Sequence, residues 1–217
     1  ASSRLVVCYP YLKVYDLATD TIVLEPVSQR LAGVICATDI EYGYHHSPSN
    51  QPIKGVVGIE IDLYGAINDP TSDTNALNEA GIVTIYNAFA TGFKTWGNRS
   101  SIYPSSTDAR NFIAIQRIFD VVDESIEFNA LQFIDKPLNQ ALIDSIVETC
   151  NGFLRTLIGR GALMPGSECY YDPARNPDTE LAGGQRVISR HYMAPPPAER
   201  MQLENQVDIP LMSTITG

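Results

Sequence analysis

Two long amphipathic segments between residues 108 and 160 constrain the fold of this chain more than any other feature. The first carries apolar residues at close to helical spacing, at positions 112, 115, 118, 119, 122, 126 and 133. A helix of about 22 residues there would be roughly 33 Å long. The Asp135-Lys136-Pro137 step interrupts this pattern, and a second segment repeats it as far as Gly161. The sequence therefore predicts an antiparallel helical hairpin with a short turn.

The residues before this hairpin alternate between strand-like and helix-like patterns. Strands are predicted for residues 4–16 and 58–65, and a short helix is predicted to end at Gly81. Two apolar runs around Thr91-Gly92 predict a β-hairpin. Another helix is predicted after Pro26, and its apolar face would consist of Val27, Leu31, Val34 and Ile35.

Three further strands are predicted in residues 161–212. A Pro/Asn loop separates the first two, and the proline run at 195–197 separates the last two. The pattern of predicted elements changes near residue 100. A mixed α/β pattern lies before it, and a helical hairpin with a small sheet follows it. We therefore expect two parts, residues 1–100 and residues 101–217.

Charge and composition exclude some classes of function. The net charge of −10 and the pI of about 4.7 argue against sequence-independent nucleic-acid binding, which needs excess Lys and Arg to neutralise phosphates. No apolar run reaches the roughly 18–20 residues that a membrane-spanning helix requires. The chain begins at Ala1 and enters a strand-like run almost at once, which we interpret as the start of a fragment or a processed product.

The residues that usually carry chemistry form no convincing site, so we predict neither an enzyme nor a bound metal or cofactor. His45 and His46 are adjacent, a spacing that suits a metal poorly. No G-x-S-x-G elbow, P-loop or dinucleotide fingerprint is present. The acidic residues from Asp120 to Glu127 have helical spacing and are most simply a solvated face. We expect free, mostly buried thiols for the four cysteines Cys8, Cys36, Cys150 and Cys169.

Two other features remain to be explained. The stretch GFKTWGNRSS, residues 92–101, holds the single tryptophan of the chain beside basic residues and is compatible with an active-site rim, a nucleic-acid contact or a packing plug. Long extended segments open and close the chain, and such segments are suited to pairing with the edge of a neighbour's sheet. Pairing of both segments within the chain is the equally open alternative.

An ordered series of motifs resembles the tail sheath proteins of contractile-tailed bacteriophages, especially those of P2-like phages and R-type bacteriocins. The motifs are HSPSN, N-x-L-N-x-A-G, G-F-x-x-W-G-N-R, D-K-P, G-A-L-x-x-G and P-P-x-E-R. They occur in family order and cover nearly all of the chain. Members of this family are commonly longer, so the resemblance implies a fragment that lacks an N-terminal part.

The resemblance also implies a fold and roles for particular residues. Residues 1–100 would be the latter part of a central α/β domain, subtilisin-like in topology without protease activity, and residues 101–217 the C-terminal domain. Trp96, Asn98 and Arg99 would form a structural joint between them. The final segment, residues 200–215, would be a β-arm that joins an intersubunit sheet. Its candidate contact residues are Met201, Leu203, Val207, Ile209 and Leu211.

The function implied by the resemblance is mechanical. Subunits would polymerise as hexameric rings around a tail tube in the virion and contract to drive the tube through the host envelope. The implied partners are other copies of the chain, the tail tube protein, and baseplate and tail terminator proteins, with no nucleic acid and no membrane insertion. The alternatives are the sheath of a related injection machine, such as an R-type bacteriocin or a prophage remnant, and more distantly an α/β enzyme.

Overall fold

The computed structural model describes residues 1–66, 69–87 and 91–210. A first antiparallel sheet lies near the N-terminus, with β2 (Tyr11–Asp16) in its centre and Leu12 and Val14 buried on its inner face. The strand predicted at residues 4–16 forms as two strands in different sheets. The strand predicted at residues 58–65 begins two residues earlier, where position 56 pairs with β2, and it ends at Ile59. The first four strands are β1 (Val7–Cys8), β2 (Tyr11–Asp16), β3 (Thr21–Pro26) and β4 (Val56–Ile59).

The helix predicted after Pro26 is confirmed as α1, Val27–Glu41. Of its predicted apolar face, Val27, Leu31 and Val34 are buried and Ile35 is half-buried. Val27 and Val34 pack with the inner face of the first sheet, whereas Leu31 packs elsewhere, against Val83. The 3.6-residue periodicity therefore identified the buried face of α1 correctly.

A second, mixed sheet has β5 (Ile82–Tyr86) in its centre, parallel to β1 and antiparallel to β6 (Lys94–Trp96). The predicted β-hairpin is confirmed by the β5–β6 pair, although residues 88–90 of its connection lie outside the described residues. The helix before it ends at Gly81, which has φ +75, as predicted. The elements are α2 (Asp73–Glu79), β5 (Ile82–Tyr86) and β6 (Lys94–Trp96).

The predicted helical hairpin is confirmed by α3 (Ile113–Ala130) and α4 (Gln140–Gly159). A 3-10 turn, Leu131–Phe133, ends the first helix. Asn139 caps the second, because its Oδ1 accepts a hydrogen bond from the backbone N–H of Leu142 (2.9 Å). The two helices share the largest apolar cluster of the described residues, in which Ile115, Ile118, Val122, Leu154 and Leu157 are almost fully buried.

After the helical hairpin, two of the three predicted strands form and the third does not. The strands β7 (Glu168–Tyr171) and β8 (Ile188–His191) pair antiparallel, with α5 (Asp178–Ala182) between them in sequence. Described residues after β8, which run to position 210, contain no strand. The prediction of a third strand was wrong for residues 192–209, which pair with no strand among the described residues. No helix of the described ranges is long and apolar enough to span a membrane.

Candidate functional site: the joint cleft and the C-terminal arm

The SPSN motif lies along the free edge of β6 and pairs with it like a short extra strand. Thr95 of β6 donates its backbone N–H to the Gln51 carbonyl (2.9 Å) and accepts from the backbone N–H of Asn50 (2.7 Å). The Ser49 hydroxyl accepts a hydrogen bond from the backbone N–H of Gly97 (3.0 Å). Two motifs that are far apart in sequence are thus held together by backbone bonds.

Trp96 lies half-buried between β5 and α2. Its ring is 4.9 Å from that of Tyr86, centroid to centroid, in a tilted arrangement. In the amide orientation that satisfies its surroundings, Asn78 of α2 accepts a hydrogen bond from Trp96 Nε1 (3.0 Å) and donates to the Trp96 carbonyl (3.1 Å). The tryptophan therefore packs a sheet against a helix and satisfies its polar N–H in the same contact.

Asn98 connects this sheet to the helical hairpin through its backbone. Its carbonyl accepts a hydrogen bond from the backbone N–H of Ile113, the first residue of α3 (2.9 Å). The side chain is buried, and its Oδ1 has no hydrogen-bond partner among the described residues. The covalent connection between the two parts is therefore reinforced by a main-chain bond, not by the Asn98 side chain.

Arg99 makes the most contacts at this joint. Its Nη1 donates to Oδ1 of Asn111 (2.5 Å), just before α3, and its guanidinium lies 3.7 Å from the ring centroid of Phe112. Tyr103 contributes a second ring, 4.5 Å away. The same guanidinium donates from Nε to Oε1 of Glu199 (2.9 Å) and from Nη2 to Oε2. One side chain thus bridges the exit of β6, the entry of α3 and the C-terminal part of the chain.

These residues line a cleft of about 650 Å³, which we name the joint cleft. One wall consists of Trp96, Asn98 and Arg99, so the structure brings together the three residues that the sequence analysis assigned to the joint. The opposite wall is formed by residues 197–200, and Arg200 is also paired with Glu79 of α2 (3.3 Å). The lining is mostly polar and carries charged groups of both signs.

The C-terminal arm, residues 200–215, leaves this cleft and is described as far as residue 210. Four of its five predicted contact residues are 74–87% exposed, and the fifth, Leu211, lies outside the described residues. Apolar side chains occupy every second position except one, while Gln, Glu and Asp occupy most positions between them. This period of two is typical of a half-buried strand. The exposed residues are Met201, Leu203, Val207 and Ile209.

The acidic residues of α3 are not simply a solvated face. Asp120 accepts hydrogen bonds from Arg4 (2.7 Å), whose guanidinium is the largest cause of the lowered pKa of that carboxyl. Asp123 is paired with Arg190 of β8 (2.8 Å) and accepts from the Tyr192 hydroxyl (2.7 Å). Sequence reasoning missed these contacts because the partners are 116, 67 and 69 residues away along the chain.

The titratable groups form no metal site within the described ranges. Burial lowers the pKa of His45, with a smaller contribution from neighbouring His46. All four cysteines are free, but the expectation of mostly buried thiols holds for only two, since Cys36 is exposed on α1. Burial raises the pKa of half-buried Cys8 to about 11, whereas a hydrogen bond with Cys169 lowers the pKa of Cys150.

In comparisons with known proteins, two family models match successive regions of the chain. Residues 1–101 match the family model described as the phage tail sheath protein central domain, and residues 105–207 match that of the phage tail sheath C-terminal domain. The chain is 46% identical over 217 residues to the tail sheath protein of Burkholderia phage BcepMu, covering all of this chain and 45% of the relative. It is 28% identical over 204 residues to the tail sheath protein of Escherichia phage P2, covering 94% of this chain and 50% of that protein.

Solved structures have the same fold. The sheath complex of the extracellular contractile injection system PVC, in its contracted state, matches with a TM-score of 0.81 at 22% identity, covering 97% of this chain and 58% of that one. The contracted helical sheath of the anti-feeding prophage matches with a TM-score of 0.80 at 24% identity, covering 96% and 57%. The chain spans about half the length of the relatives it matches. Its two matched regions together extend over nearly the whole sequence, and the chain belongs to the phage tail sheath protein family.

Proposed function

We propose that this chain is part of a structural subunit of a contractile tail sheath. Subunits would polymerise as hexameric rings around a tail tube and contract to drive that tube through the host envelope. The names of the relatives and the sheath fold support this proposal. One observation on this chain carries the proposal. The alternating apolar side chains of the arm are exposed, and residues 201–209 pair with no strand of the described residues.

We also propose the domain division and the partners that the sequence suggested. Residues 1–100 are the latter part of a subtilisin-like but non-catalytic central domain, and residues 101–217 are the C-terminal domain with its arm. The two family models, which meet between residues 101 and 105, support this division. The partners are other copies of the chain, the tail tube protein, and baseplate and tail terminator proteins. Assembly takes place in the host cytoplasm, and the finished sheath lies in the virion tail.

The arm is suited to adding a strand to a sheet of a neighbouring copy. Because its apolar side chains alternate with polar ones, an extended arm presents one apolar face and one polar face. The β7–β8 sheet has only two strands in the described residues. The Asn151 side chain bonds the backbone N–H and carbonyl of Cys169 on the outer edge of β7, whereas no strand of the described residues lies along the outer edge of β8. Two-stranded sheets are marginal on their own, so an added strand stabilises acceptor and arm together. We therefore assign the outer edge of β8 in a neighbour as the arm's acceptor.

Contraction on such a lattice requires subunits that re-dock as nearly rigid bodies. Flexible arms would keep neighbouring subunits connected while their larger faces change partners. The driving energy would be stored in the extended lattice, in which packed interfaces have two discrete arrangements rather than a continuously deformable core. This mechanism needs no bound nucleotide.

The decisive experiment removes the arm from the protein at its natural length. Ending the chain after Glu199 should abolish tubes in negative-stain electron microscopy, while circular dichroism and the thermal midpoint stay close to the parent values. Leu203→Asp with Val207→Asp should also abolish tubes, because both charges fall on the apolar face of the arm. The matched control, Gln202→Asp with Gln206→Asp, adds the same charge to the polar face and should still polymerise. Normal tubes from the truncated protein would refute the proposed role of the arm.

A sheath from a related injection machine is a second candidate, favoured by the fold match to the PVC and anti-feeding prophage sheaths. A relative described as a putative prophage major tail sheath protein of Pseudomonas aeruginosa, 32% identical over 206 residues, points the same way. Electron microscopy of particles released from the producing cells separates the two candidates. Tails joined to capsids indicate a phage, and free tails without capsids indicate an injection machine.

A further inference from the structure

Residues 195–199, which we name the arm root, are held to the body of the protein at one charged point. Glu199 accepts two hydrogen bonds from the Arg99 guanidinium in the bidentate geometry that gives strong, directional ion pairs. Arg99 is only 15% exposed and Glu199 is 33% exposed, so solvent screens this pair less than an ordinary surface pair. The adjacent pair of Arg200 with Glu79 is largely exposed and adds little.

The Arg99 guanidinium is itself immobilised before it reaches Glu199. The rings of Tyr103 and Phe112 lie against it, and Asn111 fixes one of its terminal nitrogens. A planar cation held by two rings and a hydrogen bond has lost most of its rotamer freedom, so little further entropy is lost when it binds a carboxylate. The Arg99 guanidinium is therefore already oriented to donate two hydrogen bonds to a carboxylate of the arm root.

We propose that Arg99 is the positioning residue of the arm. Its ion pair with Glu199 fixes the point and the direction in which the arm leaves the joint cleft. This inference rests on the proposed function, because a fixed direction matters only if the arm joins a neighbouring subunit. Without this pair the chain would be free from Pro195 onward, since Ala194 is buried and the Met193 carbonyl accepts a hydrogen bond from Met164. An arm anchored next to its first apolar contact residue, Met201, samples far fewer directions. Assembly then requires less ordering of the chain at the moment of docking.

The same contact links the arm to the joint between the two parts of the chain. Arg99 also touches Asn111 and Phe112 at the entry of α3, so a pull on the arm is transmitted to the start of the helical hairpin. If the subunits rearrange while their arms stay bound to neighbours, the force on an arm would act on this joint through the Arg99–Glu199 pair.

The first test measures how firmly the root is held, independently of assembly. Trypsin cleaves after Arg200 and binds the residues before the cleaved bond in an extended conformation. Glu199 therefore has to leave Arg99 before cleavage. Glu199→Gln keeps the shape of the side chain but removes its charge, and it should accelerate this cleavage about tenfold by weakening a bidentate charge-assisted pair. Glu204→Gln is the matched control, since Glu204 contacts only Gln202 of the arm, and it should leave the rate unchanged. Equal rates for the two variants would overturn the proposal.

The second test measures the consequence for assembly at natural length. Glu199→Gln should raise the protein concentration needed for tube formation several-fold. Arg99→Lys, which keeps the charge but loses the bidentate fork, should behave like Glu199→Gln in both tests. If Glu199→Gln frees the root but tubes form at the parent concentration, positioning by Arg99 is refuted while the role of the arm stands. If the protein truncated after Glu199 still forms tubes, both proposals fall.

Discussion

Gly81 and Gly161 offer a matched pair for measuring how tightly the joint is packed. Both have φ +75 and both lie directly after the C-terminal capping residue of an α-helix, α2 and α4 respectively. A Cβ added at Gly161 would meet nothing within 4 Å. A Cβ added at Gly81 would lie 2.6 Å from the carbonyl oxygen of Tyr103 and 3.2 Å from that of Ser100. Alanine therefore adds the same backbone strain at both sites and a steric conflict at only one.

The magnitudes follow from this geometry. A left-handed conformation costs a residue with a Cβ about 1–2 kcal/mol, and we expect that cost for Gly161→Ala. Gly81→Ala adds overpacking against backbone that cannot rotate away, which costs about 1–3 kcal/mol more. The smaller entropy of an unfolded chain with alanine affects both variants equally and cancels in the comparison. The expected difference between the two variants is therefore about 1–3 kcal/mol.

Urea unfolding followed by circular dichroism gives the free energy of unfolding for each variant, and calorimetry gives the thermal midpoint. For a chain of this size each kcal/mol corresponds to about 2–4 °C, so Gly81→Ala should melt clearly below Gly161→Ala. Tyr103 also contacts Arg99, so Gly81→Ala should in addition accelerate tryptic cleavage after Arg200. Equal destabilisation by the two substitutions would show that the turn at residues 100–103 yields easily, and the picture of a tightly packed joint would be wrong.

Two further predictions concern single titratable groups. Asp108 caps the turn before α3, and its hydrogen bonds with Arg110 lower the pKa of its carboxyl to about 2. A carboxyl with a lowered pKa stabilises the folded chain fully above its unfolded-state pKa of about 3.9, and this stabilisation is lost as the pH falls toward 2. The difference in unfolding free energy between the parent and Asp108→Asn should therefore shrink between about pH 4 and pH 2. A constant difference over that pH range would contradict this role. Cys36 is the one exposed cysteine of the four, so the folded chain should give one rapidly reacting equivalent with a thiol reagent and Cys36→Ser none. Rapid reaction of Cys150 in the folded chain would contradict its burial.

The helical elements were predictable from the sequence because their signals are local. The apolar spacing from Phe112 to Ile126 and the break at Pro137 arise within one segment, and burial followed that spacing. The hairpin at Thr91-Gly92 and the helix end at Gly81 are equally local, since each depends on the backbone freedom of one or two residues.

The contacts of the candidate site could not be predicted in the same way because they join distant positions. The sequence assigned Trp96, Asn98 and Arg99 to a joint. It does not indicate that the Arg99 guanidinium pairs with Glu199, 100 residues away. The third C-terminal strand was mispredicted for a different reason. Its alternation is a genuine strand signal, but residues 201–209 pair with no strand among the described residues.

Apolar packing connects the residues before position 100 to the helical hairpin. Leu31 of α1, Val83 of β5 and Ile113 of α3 form one buried cluster that crosses the boundary near residue 100. Each buried side chain of this kind stabilises its packing by roughly 1.5–3 kcal/mol, far more than the exposed pair of Arg4 with Asp120 that spans the same boundary. The two parts are therefore joined mainly by apolar packing and by the backbone bond between Asn98 and Ile113. Because opening this joint would expose that packing, the proposed assembly would change the weaker contacts of the arm and the arm root first.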